Sequence, residues 1–263
     1  FQGSAPRAAL GDRGSLEGLI NDNSPLALLG IAPEKGGIAH FAVDLSHLPQ
    51  EALTERYAGG VMMDLRQSVQ LVPAQEAAIL AYARGLMYWH QKSGFCSACG
   101  QPTRSRRAGH ERACTGPDCG MTHFPRTDPA VIVLVHDGEE CLLCRQSHWP
   151  TGMHSTLAGF LEPGESLEEC VAREIFEESG VYVADVRYHS SQPWPFPASI
   201  MVGFMAKAVS RKINADEKEL EYARWYSREW LRNVEDSDEF RLPGAYSISH
   251  RLISDWIEER FPT

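Results

Sequence analysis

The chain has 263 residues, of which 43% are hydrophobic and 23% are charged, the composition of an ordinary soluble globular protein. Its 25 Lys and Arg residues face 35 Asp and Glu residues, and the net charge of −10 argues against broad nonspecific binding to nucleic acid, although it leaves room for recognition of one nucleotide end. The sequence shows no run of about 18 apolar residues and no signal peptide, so we expect no membrane association. Seven cysteines, an odd number, disfavour a disulfide framework and make a reducing cytoplasm the expected compartment.

Residues 1–92 are expected to form an N-terminal mixed α/β domain. The first four residues, FQGS, resemble the remnant of a protease cleavage site and are left out of the fold prediction. A helical pattern runs from Ala74 to about Gln91 and predicts a connecting helix. Strands are predicted from the apolar segments between the turns, at Ala39–Val43, Val61–Leu65 and Ser68–Val72.

Two pairs of cysteines follow, each with a glycine after its second member. The pattern is Cys96-x2-Cys99-Gly, fourteen residues, and Cys114-x4-Cys119-Gly. Four thiolates at such spacings suit one tetrahedral Zn²⁺, and because all four positions are filled by protein the site would be closed and structural. We therefore predict a zinc ribbon over residues 93–123. Two disulfides are the alternative, which the expected compartment disfavours.

The ribbon also carries basic residues, and two interpretations of them stay open. They could bind nucleic acid, or they could lie on a solvated hairpin, which the acidic balance of the chain favours. These residues are Arg104, Arg106 and Arg107.

A third Cys-x2-Cys pair, Cys141 and Cys144, is not interpreted as a metal site. It lies in a predicted strand, where residues i and i+3 point to opposite faces. Together with Cys170, these cysteines are expected to be small buried apolar residues.

Residues 124–263 are predicted to form an α/β sandwich around a mixed sheet, because hairpin-like strands are flanked by two helices. The second helix is expected from about Ile248 to Arg260, with one apolar stripe. The strands are expected at Val131–Val135, Cys141–Arg145, Ser155–Leu157, Val181–His189, Ile200–Val209 and Ala223–Tyr226.

The first of these helices lies within Gly159–Val181. Ser166 and Glu169 have the spacing of a capping box, and Gly180 suits a left-handed C-terminal cap. One apolar seam recurs every four residues, formed by Leu167, Val171 and Ile175.

The other faces of this helix and the turn before it carry many glutamate residues. Glu174, Glu177 and Glu178 share one face at spacings i, i+3 and i+4. Carboxylates at such short distances repel one another unless a cation lies between them. A hard ion such as Mg²⁺ would fit this position. On charge alone, a solvated acidic face remains an equal alternative. The remaining acids are Glu165, Glu168 and Glu169.

The full spacing resembles the Nudix box. It consists of Gly159, five residues, Glu165, seven residues, Arg173-Glu174-Ile175, one residue, Glu177-Glu178, one residue, and Gly180-Val181. The resemblance implies a Nudix hydrolase with an α/β/α sandwich. Such an enzyme cleaves a nucleoside diphosphate linked to another group and uses Mg²⁺ or Mn²⁺.

A second signature spans Ser191–Ser199, with the sequence SQPWPFPAS. Three alternating prolines are expected to stay out of a sheet ladder and to stiffen a loop that presents Trp194 and Phe196. On physical grounds, a connector that packs its rings into the core is equally compatible. The sequence resembles the signature of the NADH pyrophosphatase subfamily, which also removes NAD caps from RNA. With the ribbon, this resemblance covers about residues 93–260, whereas the first 90 residues match only in their size.

The resemblance implies the site residues. Glu174 and Glu178 would hold the metal with Glu219 and the carbonyl of Ala158, and Glu177 would be a shared or water-mediated ligand. One glutamate of the cluster, or Glu219, would be the general base. Glu165 and Arg173 complete the catalytic group, and Arg173 is expected to orient a neighbouring carboxylate. The implied substrate contacts are Phe124, Phe160, Gln192, Pro193, Trp194, Pro195, Phe196, Pro197, Ala198, Ser199 and Ser249, with Phe160 and Trp194 as stacking partners for nicotinamide.

The implied reaction converts NADH or NAD⁺ to nicotinamide mononucleotide and AMP, and NAD-capped RNA to monophosphate RNA. Family members are homodimers, so the resemblance also implies a homodimer. One alternative is a Nudix hydrolase of another dinucleotide or of ADP-ribose. Another, from a different class, is a regulator with a degenerate Nudix domain, which the presence of all four box carboxylates disfavours.

Overall fold

The computed structural model describes residues 6–12, 14–21, 24–33, 36–57 and 60–261. The FQGS segment lies outside them. The chain divides into two units, the first Phe1–Thr127 with Pro195–Ala198 and the second Asp128–Trp194 with Ser199–Thr263. No helix among the described residues is long and apolar enough to cross a membrane.

The first unit begins with a two-stranded antiparallel sheet and three helices. A small core of Ala27, Ala42, Leu86 and Met87 joins the sheet to the longest helix. That helix and the second strand confirm the predictions for these segments. The elements are β1 (Leu26–Ala32), β2 (Ile38–Val43), α1 (Gln50–Arg56), α2 (Leu65–Ser68) and α3 (Ala74–Lys92).

The two other strands predicted in this part of the chain, Val61–Leu65 and Ser68–Val72, are wrong. Residues 61–64 lack regular structure, and residues 65–68 form α2. The carboxylate of Asp64 accepts a hydrogen bond from the backbone N–H of Arg66 at 2.8 Å, so a local N-cap prevails over a short apolar alternation.

The rest of the first unit is a three-stranded antiparallel sheet of β3 (Thr103–Arg106), β4 (Glu111–Cys114) and β5 (Thr122–His123), in the order β3-β4-β5. Buried His90 of α3 joins this sheet to the helix. Its Nδ1 accepts from Arg112 at 2.9 Å, and its Nε2 donates to the carbonyl of Gly109 at 2.8 Å. Arg112 also donates to the hydroxyl of Thr103 at 2.7 Å, so one hydrogen-bonded chain links α3 to two strands.

The second unit is a six-stranded mixed sheet with helices on both faces, as predicted. The strand order is β11-β7-β6-β10-β9, with β8 also paired to β6; β6 and β10 are parallel, and the other pairs are antiparallel. The strand predicted at Ser155–Leu157 begins two residues later than expected. The elements are β6 (Asp128–His136), β7 (Glu140–Arg145), β8 (Leu157–Phe160), α4 (Leu167–Ser179), β9 (Val183–Trp194), β10 (Ser199–Ala208), β11 (Tyr222–Ser227), α5 (Arg228–Asn233) and α6 (Ile248–Ile257).

Alternate residues of the central strands supply two separate cores. Val131 and Val133 of β6 pack with Val171 and Ile175 of α4 on one face. On the other face, a cluster of Ile132, Leu134, Leu252, Ile253 and Trp256 covers the sheet with α6.

Cys141 and Cys144 lie in the two different cores, which confirms the prediction that their side chains point to opposite faces of the sheet. Their exposed fractions are 0% and 1%, and that of Cys170 is 0%. Burial raises the pKa of all three thiols, to about 11 for Cys170.

The SQPWPFPAS segment is not a single loop. Ser191 to Trp194 belong to β9, Ser199 begins β10, and Pro193 lies opposite Ile200 in the ladder. The expectation that the prolines stay out of the sheet is therefore wrong for Pro193. It is tolerated because β9 is the last strand in the order, where a residue without an N–H can face away from its neighbour.

The α6 core can be tested with Ile253→Ala. Because Ile253 is 0% exposed, the variant should lose roughly 2–5 kcal/mol of unfolding free energy. Urea denaturation of the second unit measures this loss. The control is Arg251→Ala on the same helix, whose side chain is 65% exposed and whose replacement should cost much less. Equal losses in the two variants would contradict the placement of α6.

Candidate active site

The helix α4 begins and ends where its sequence predicts. The hydroxyl of Ser166 accepts from the N–H of Glu169 at 3.2 Å, and the Glu169 carboxylate accepts from the N–H of Ser166 at 2.8 Å, which completes the capping box. Gly180 ends the helix with φ of 71°. Because the apolar seam is buried against the sheet, the rotation of the helix fixes where its carboxylates point.

Arg173 lies at the centre of these carboxylates. Its guanidinium pairs with Glu165 at 2.5 Å, with Glu174 at 2.9 Å and with Glu177 at 3.0 Å. It also donates to the backbone carbonyl of Phe160 at 2.9 Å. The hydrogen bond from Arg173 lowers the pKa of Glu165 to about 2. One side chain thus ties the end of β8, the turn before the helix and the acidic helix face together.

Glu178 is in a different environment. It is 4% exposed, and burial raises its pKa to about 8, assisted by the negative charges of Glu174 and Glu219. Burial also raises the pKa of Glu174, although Arg173 opposes the shift. A cation held between these groups would offset both the burial and the repulsion.

The acidic loop that carries Glu219 is fixed to the C-terminal end of α4. The N–H of Asn214 donates to the carbonyl of Ser179 at 2.8 Å, and that of Asp216 donates to the carbonyl of Glu178 at 3.0 Å. Leu220 is 1% exposed in the α4 core. These contacts bring the carboxyl group of Glu219 close enough to that of Glu178 to raise its pKa.

Gly159 explains why the motif opens with glycine. A Cβ at this position would overlap the carboxylate of Glu174. The backbone of β8 therefore lies directly against this carboxylate, and Ala158 is the next residue in the same strand. Any side chain at position 159 would have to displace Glu174.

The carboxylates of Glu174, Glu178 and Glu219, with the backbone beside them, form an oxygen donor set suited to a hard divalent cation. Within the described part of the chain, only the four ribbon cysteines bring three or more ligand atoms within 4.8 Å of one another. The acidic side chains are more widely spread, and Glu174 and Glu177 are paired with Arg173 instead.

The ribbon cysteines fit a zinc ion. The Sγ atoms of Cys96 and Cys119 are 3.7 Å apart, and those of Cys99 and Cys114 are 3.4 Å apart. The N–H of Gly116 donates to the Sγ of Cys114 at 3.2 Å, a contact that stabilises a thiolate. The nearby Arg104, Arg106 and Arg107 are all exposed.

The substrate residues inferred from the sequence are not all in one unit. Phe124 is 67% exposed and belongs to the first unit, as do Pro195, Phe196, Pro197 and Ala198. Within that unit, the guanidinium of Arg66 lies 4.6 Å from the ring centre of Phe196.

In the second unit, the ring of Phe160 is 59% exposed at the end of β8, and Trp194 is partly exposed at the end of β9. Ser199 is 8% exposed beside it. Both ends of the Gln192 amide are bonded to the start of α6: its Nε2 donates to the carbonyl of Tyr246 at 2.6 Å, and its Oε1 accepts from the N–H of Ile248 at 2.9 Å.

Ser249 is buried in a hydroxyl cluster at the start of α6. Its Oγ lies 2.8 Å from that of Ser155 and accepts from the hydroxyl of Thr156 at 3.0 Å. The backbone N–H of Ser249 donates to the hydroxyl of Ser247, which caps the helix. The side chain of Ser249 thus joins α6 to the segment before β8.

Two residues near the site were not predicted from the sequence. The ring of Tyr246 is parallel to that of Trp194, with an interplanar angle of 2° and 6.4 Å between ring centres. Arg145 pairs with Glu221 at 2.9 Å and donates to the carbonyl of Pro150 at 2.6 Å, which ties two loops together. Neither residue belongs to a sequence motif.

Each part of the chain matches the model of a known protein family. The family model described as "NUDIX domain" matches residues 126–244, "NADH pyrophosphatase zinc ribbon domain" matches 91–124, and "NADH pyrophosphatase-like rudimentary NUDIX domain" matches 4–89. A NUDIX hydrolase structure from Nitrosomonas europaea covers 63% of this chain and 91% of its own, with a TM-score of 0.50 and 23% identity, which shows the fold.

Two curated relatives are similar over most of the chain. "NAD-capped RNA hydrolase NUDT12" of Macaca fascicularis is 40% identical over 85% of this chain, which spans about half, 51%, of that relative's length. "NAD(P)H pyrophosphatase NUDT13, mitochondrial" of Mus musculus is 36% identical over 94% of this chain and 78% of its own. The chain belongs to the Nudix hydrolase family, in the branch that carries a zinc ribbon and an NADH pyrophosphatase-like N-terminal domain.

The ribbon assignment can be tested with Cys96→Ser. Removing one thiolate should lower both the zinc content and the thermal stability, because metal binding contributes to folding. Zinc analysis and thermal unfolding measure the two effects. Cys141→Ala is the matched control, since it replaces a buried cysteine of the sheet and should leave the zinc content unchanged. A stable, zinc-free Cys96→Ser protein would contradict a structural ribbon.

The contact between Gly159 and Glu174 predicts the effect of Gly159→Ala. The added methyl group should push the Glu174 carboxylate aside without unfolding the protein, because the end of a flexible side chain can move. Mn²⁺ affinity, measured by calorimetry, should fall roughly 10- to 100-fold, as for other displaced metal-site groups. In the control variant Gly94→Ala the methyl group would meet no atom within 4 Å, and Mn²⁺ affinity should not change. Unchanged Mn²⁺ affinity in Gly159→Ala would show that Glu174 is not a metal ligand.

Proposed function

We propose that this chain hydrolyses the pyrophosphate of NADH and NAD⁺ to nicotinamide mononucleotide and AMP, and removes NAD caps from the 5′ ends of RNA. The observation that carries the proposal is the buried Glu178 beside Glu174 and Glu219, on a helix whose Glu174 lies against Gly159 of β8, next to the exposed ring of Phe160. This combination supports a site in which the carboxylates would bind a metal ion and the aromatic side chains would stack on the substrate rings. The names of the two relatives agree with this activity.

The carboxylates of Glu174, Glu178 and Glu219 and the carbonyl of Ala158 would hold Mg²⁺ or Mn²⁺, with Glu177 at the exposed edge. When bound, the ion would neutralise charge on the phosphates and lower the pKa of a water molecule. The protein's own side chains would hold the reacting groups in position. Arg173 holds Glu165, Glu174 and Glu177, and a glutamate of the cluster accepts the proton of the attacking water.

Recognition of the substrate rings is assigned to the α6 face of the second unit. Phe160 and Trp194 would stack on the heterocycles, while Gln192 and Ser249 hold the start of α6 in place. Ser199 belongs to the same proposed set, whereas Phe124 and Pro195–Ala198 of the first unit remain predictions from the family resemblance. An RNA chain that extends from the AMP half would leave the nicotinamide and pyrophosphate unchanged.

The family resemblance further supports a homodimer and a division into residues 1–92, 93–123 and 124–263. A reducing cytoplasm suits the seven cysteines, because none of them is paired in a disulfide. Light scattering tests the dimer, and cell fractionation tests the compartment.

The catalytic assignment predicts the behaviour of Glu178→Gln. The amide cannot supply a charged metal ligand or accept a proton, so kcat for NADH with Mg²⁺ or Mn²⁺ should fall roughly 100-fold or more. The fold should persist, because Gln is neutral and nearly isosteric. Steady-state kinetics and thermal unfolding measure the two effects. Glu168→Gln, on an exposed position of the same helix, is the control that should keep parental activity. Parental kcat in Glu178→Gln would refute the metal assignment.

The substrate assignment is tested by comparing kcat/KM for NADH, NAD⁺, ADP-ribose and NAD-capped RNA. We expect the highest kcat/KM for NADH or NAD-capped RNA. A clear preference for ADP-ribose would favour the alternative Nudix activity.

A further inference from the structure

The start of α6 carries an aromatic ring that no sequence motif marks. Tyr246 precedes the N-cap residue Ser247, and its ring is parallel to that of Trp194, at 2° and 6.4 Å between centres. Two rings with one common orientation can both lie parallel to the same planar heterocycle. We infer that Tyr246, together with Trp194, binds a planar heterocyclic ring at one end of the dinucleotide; this inference rests on the proposed function.

The orientation of the pair is fixed by the backbone. Gln192, two residues before Trp194 on the same face of β9, donates to the carbonyl of Tyr246 and accepts from the N–H of Ile248. On the other side, Nδ1 of His250 lies 2.9 Å from the carbonyl of Pro243 and closes the same segment. The backbone segments that carry the two rings are therefore held before a ligand arrives, which lowers the entropy cost of stacking.

The pair lies on the same face of the sheet as Phe160. Ala158 packs in the α6 core, so Phe160, two residues later, points to the same side. Gln192 contacts the start of α6, so Trp194 also points to that side. Gly159, between Ala158 and Phe160, faces Glu174 of α4 instead.

The pair also lies near the same end of the sheet as Phe160. Phe160 is opposite Ala130, Ala130 is beside Met201, and Met201 is opposite Gln192. Three strand spacings separate the backbones of Phe160 and Gln192, which corresponds to roughly 14 Å. The two aromatic positions are therefore close enough for both to contact one dinucleotide.

Both rings are partly exposed, which distinguishes them from the buried aromatic residues of the core. Tyr246 adjoins the exposed Ala245 and the loop that leads into α6, whereas Trp256 of α6 is 1% exposed. Tyr246 is thus placed for a ligand contact, and its loss should not remove core packing.

The test is the kinetics of Tyr246→Ala with NADH. KM should rise about 10-fold, the size expected for the loss of one ring-stacking contact, while kcat stays near the parental value. Tyr246→Phe should restore the parental KM to within about 2-fold, because stacking does not need the hydroxyl. The control is Tyr188→Ala, an exposed tyrosine of β9 that lies against Phe204 of the other core and should leave KM unchanged.

Product inhibition identifies which half of the substrate is bound. AMP carries one ring and nicotinamide mononucleotide the other, and Tyr246→Ala should weaken inhibition by one of them and not by both. If Trp194 and Tyr246 contact the same ring, then KM of the double variant Trp194→Ala/Tyr246→Ala should rise by less than the product of the two single effects.

Three outcomes would overturn the inference: an unchanged KM in Tyr246→Ala, equal weakening of inhibition by both mononucleotides, or KM effects that multiply fully in the double variant. Should Tyr246→Ala lose its fold, Tyr246→Leu provides the same test with an apolar side chain that cannot stack. Failure of the proposed function is a different result, since the parental protein itself would then fail to hydrolyse NADH.

Discussion

The contacts of Arg173 are the constraint on which the candidate site depends. A single guanidinium holds the carboxylates of Glu165, Glu174 and Glu177 and the carbonyl of Phe160, so the turn between strand and helix has one arrangement. Glu178 instead is buried and faces Glu219. The helix face is therefore divided between acids that pair with Arg173 and a buried acid that lies beside another carboxylate. This division distinguishes the helix from a solvated acidic surface, and it is the arrangement that the proposed metal site requires.

The pleat of β8 gives a short strand two functions. Gly159 points toward α4 and lets the Glu174 carboxylate approach, whereas Ala158 and Phe160 point toward α6. The acidic side chains of α4 thus lie on one side of the sheet edge, and the ring of Phe160 lies on the other. Arg173 donates to the carbonyl of Phe160, so the same residue fixes the backbone of Phe160 and the positions of the acids.

The features that the sequence predicted correctly are those determined by local chemistry. The capping box of Ser166, the Gly180 cap and the spacing within each pair of ribbon cysteines depend on residues a few positions apart. Apart from the two strands displaced by the local N-cap of α2, the errors involve partners distant in the chain. Pro193 joins a ladder because its strand is at the sheet edge, and Gln192 is bonded to a helix more than fifty residues away. Tyr246 has no local signal because its relation to Trp194 exists only after the sheet and α6 have assembled.

The acidic loop before β11 shows how a core contact can limit changes in chain length. Leu220 is fixed in the α4 core, with Glu219 on one side directed to Glu178 and Glu221 on the other paired with Arg145. An inserted residue between positions 219 and 221 would move one of the two acids away from its partner, although their charges would be unchanged. The N–H groups of Asn214 and Asp216 donate to carbonyls of α4, and residues 216–218 are exposed. Among descendants of this sequence, loop length should therefore vary before Asn214 and stay constant from Glu219 to Tyr222.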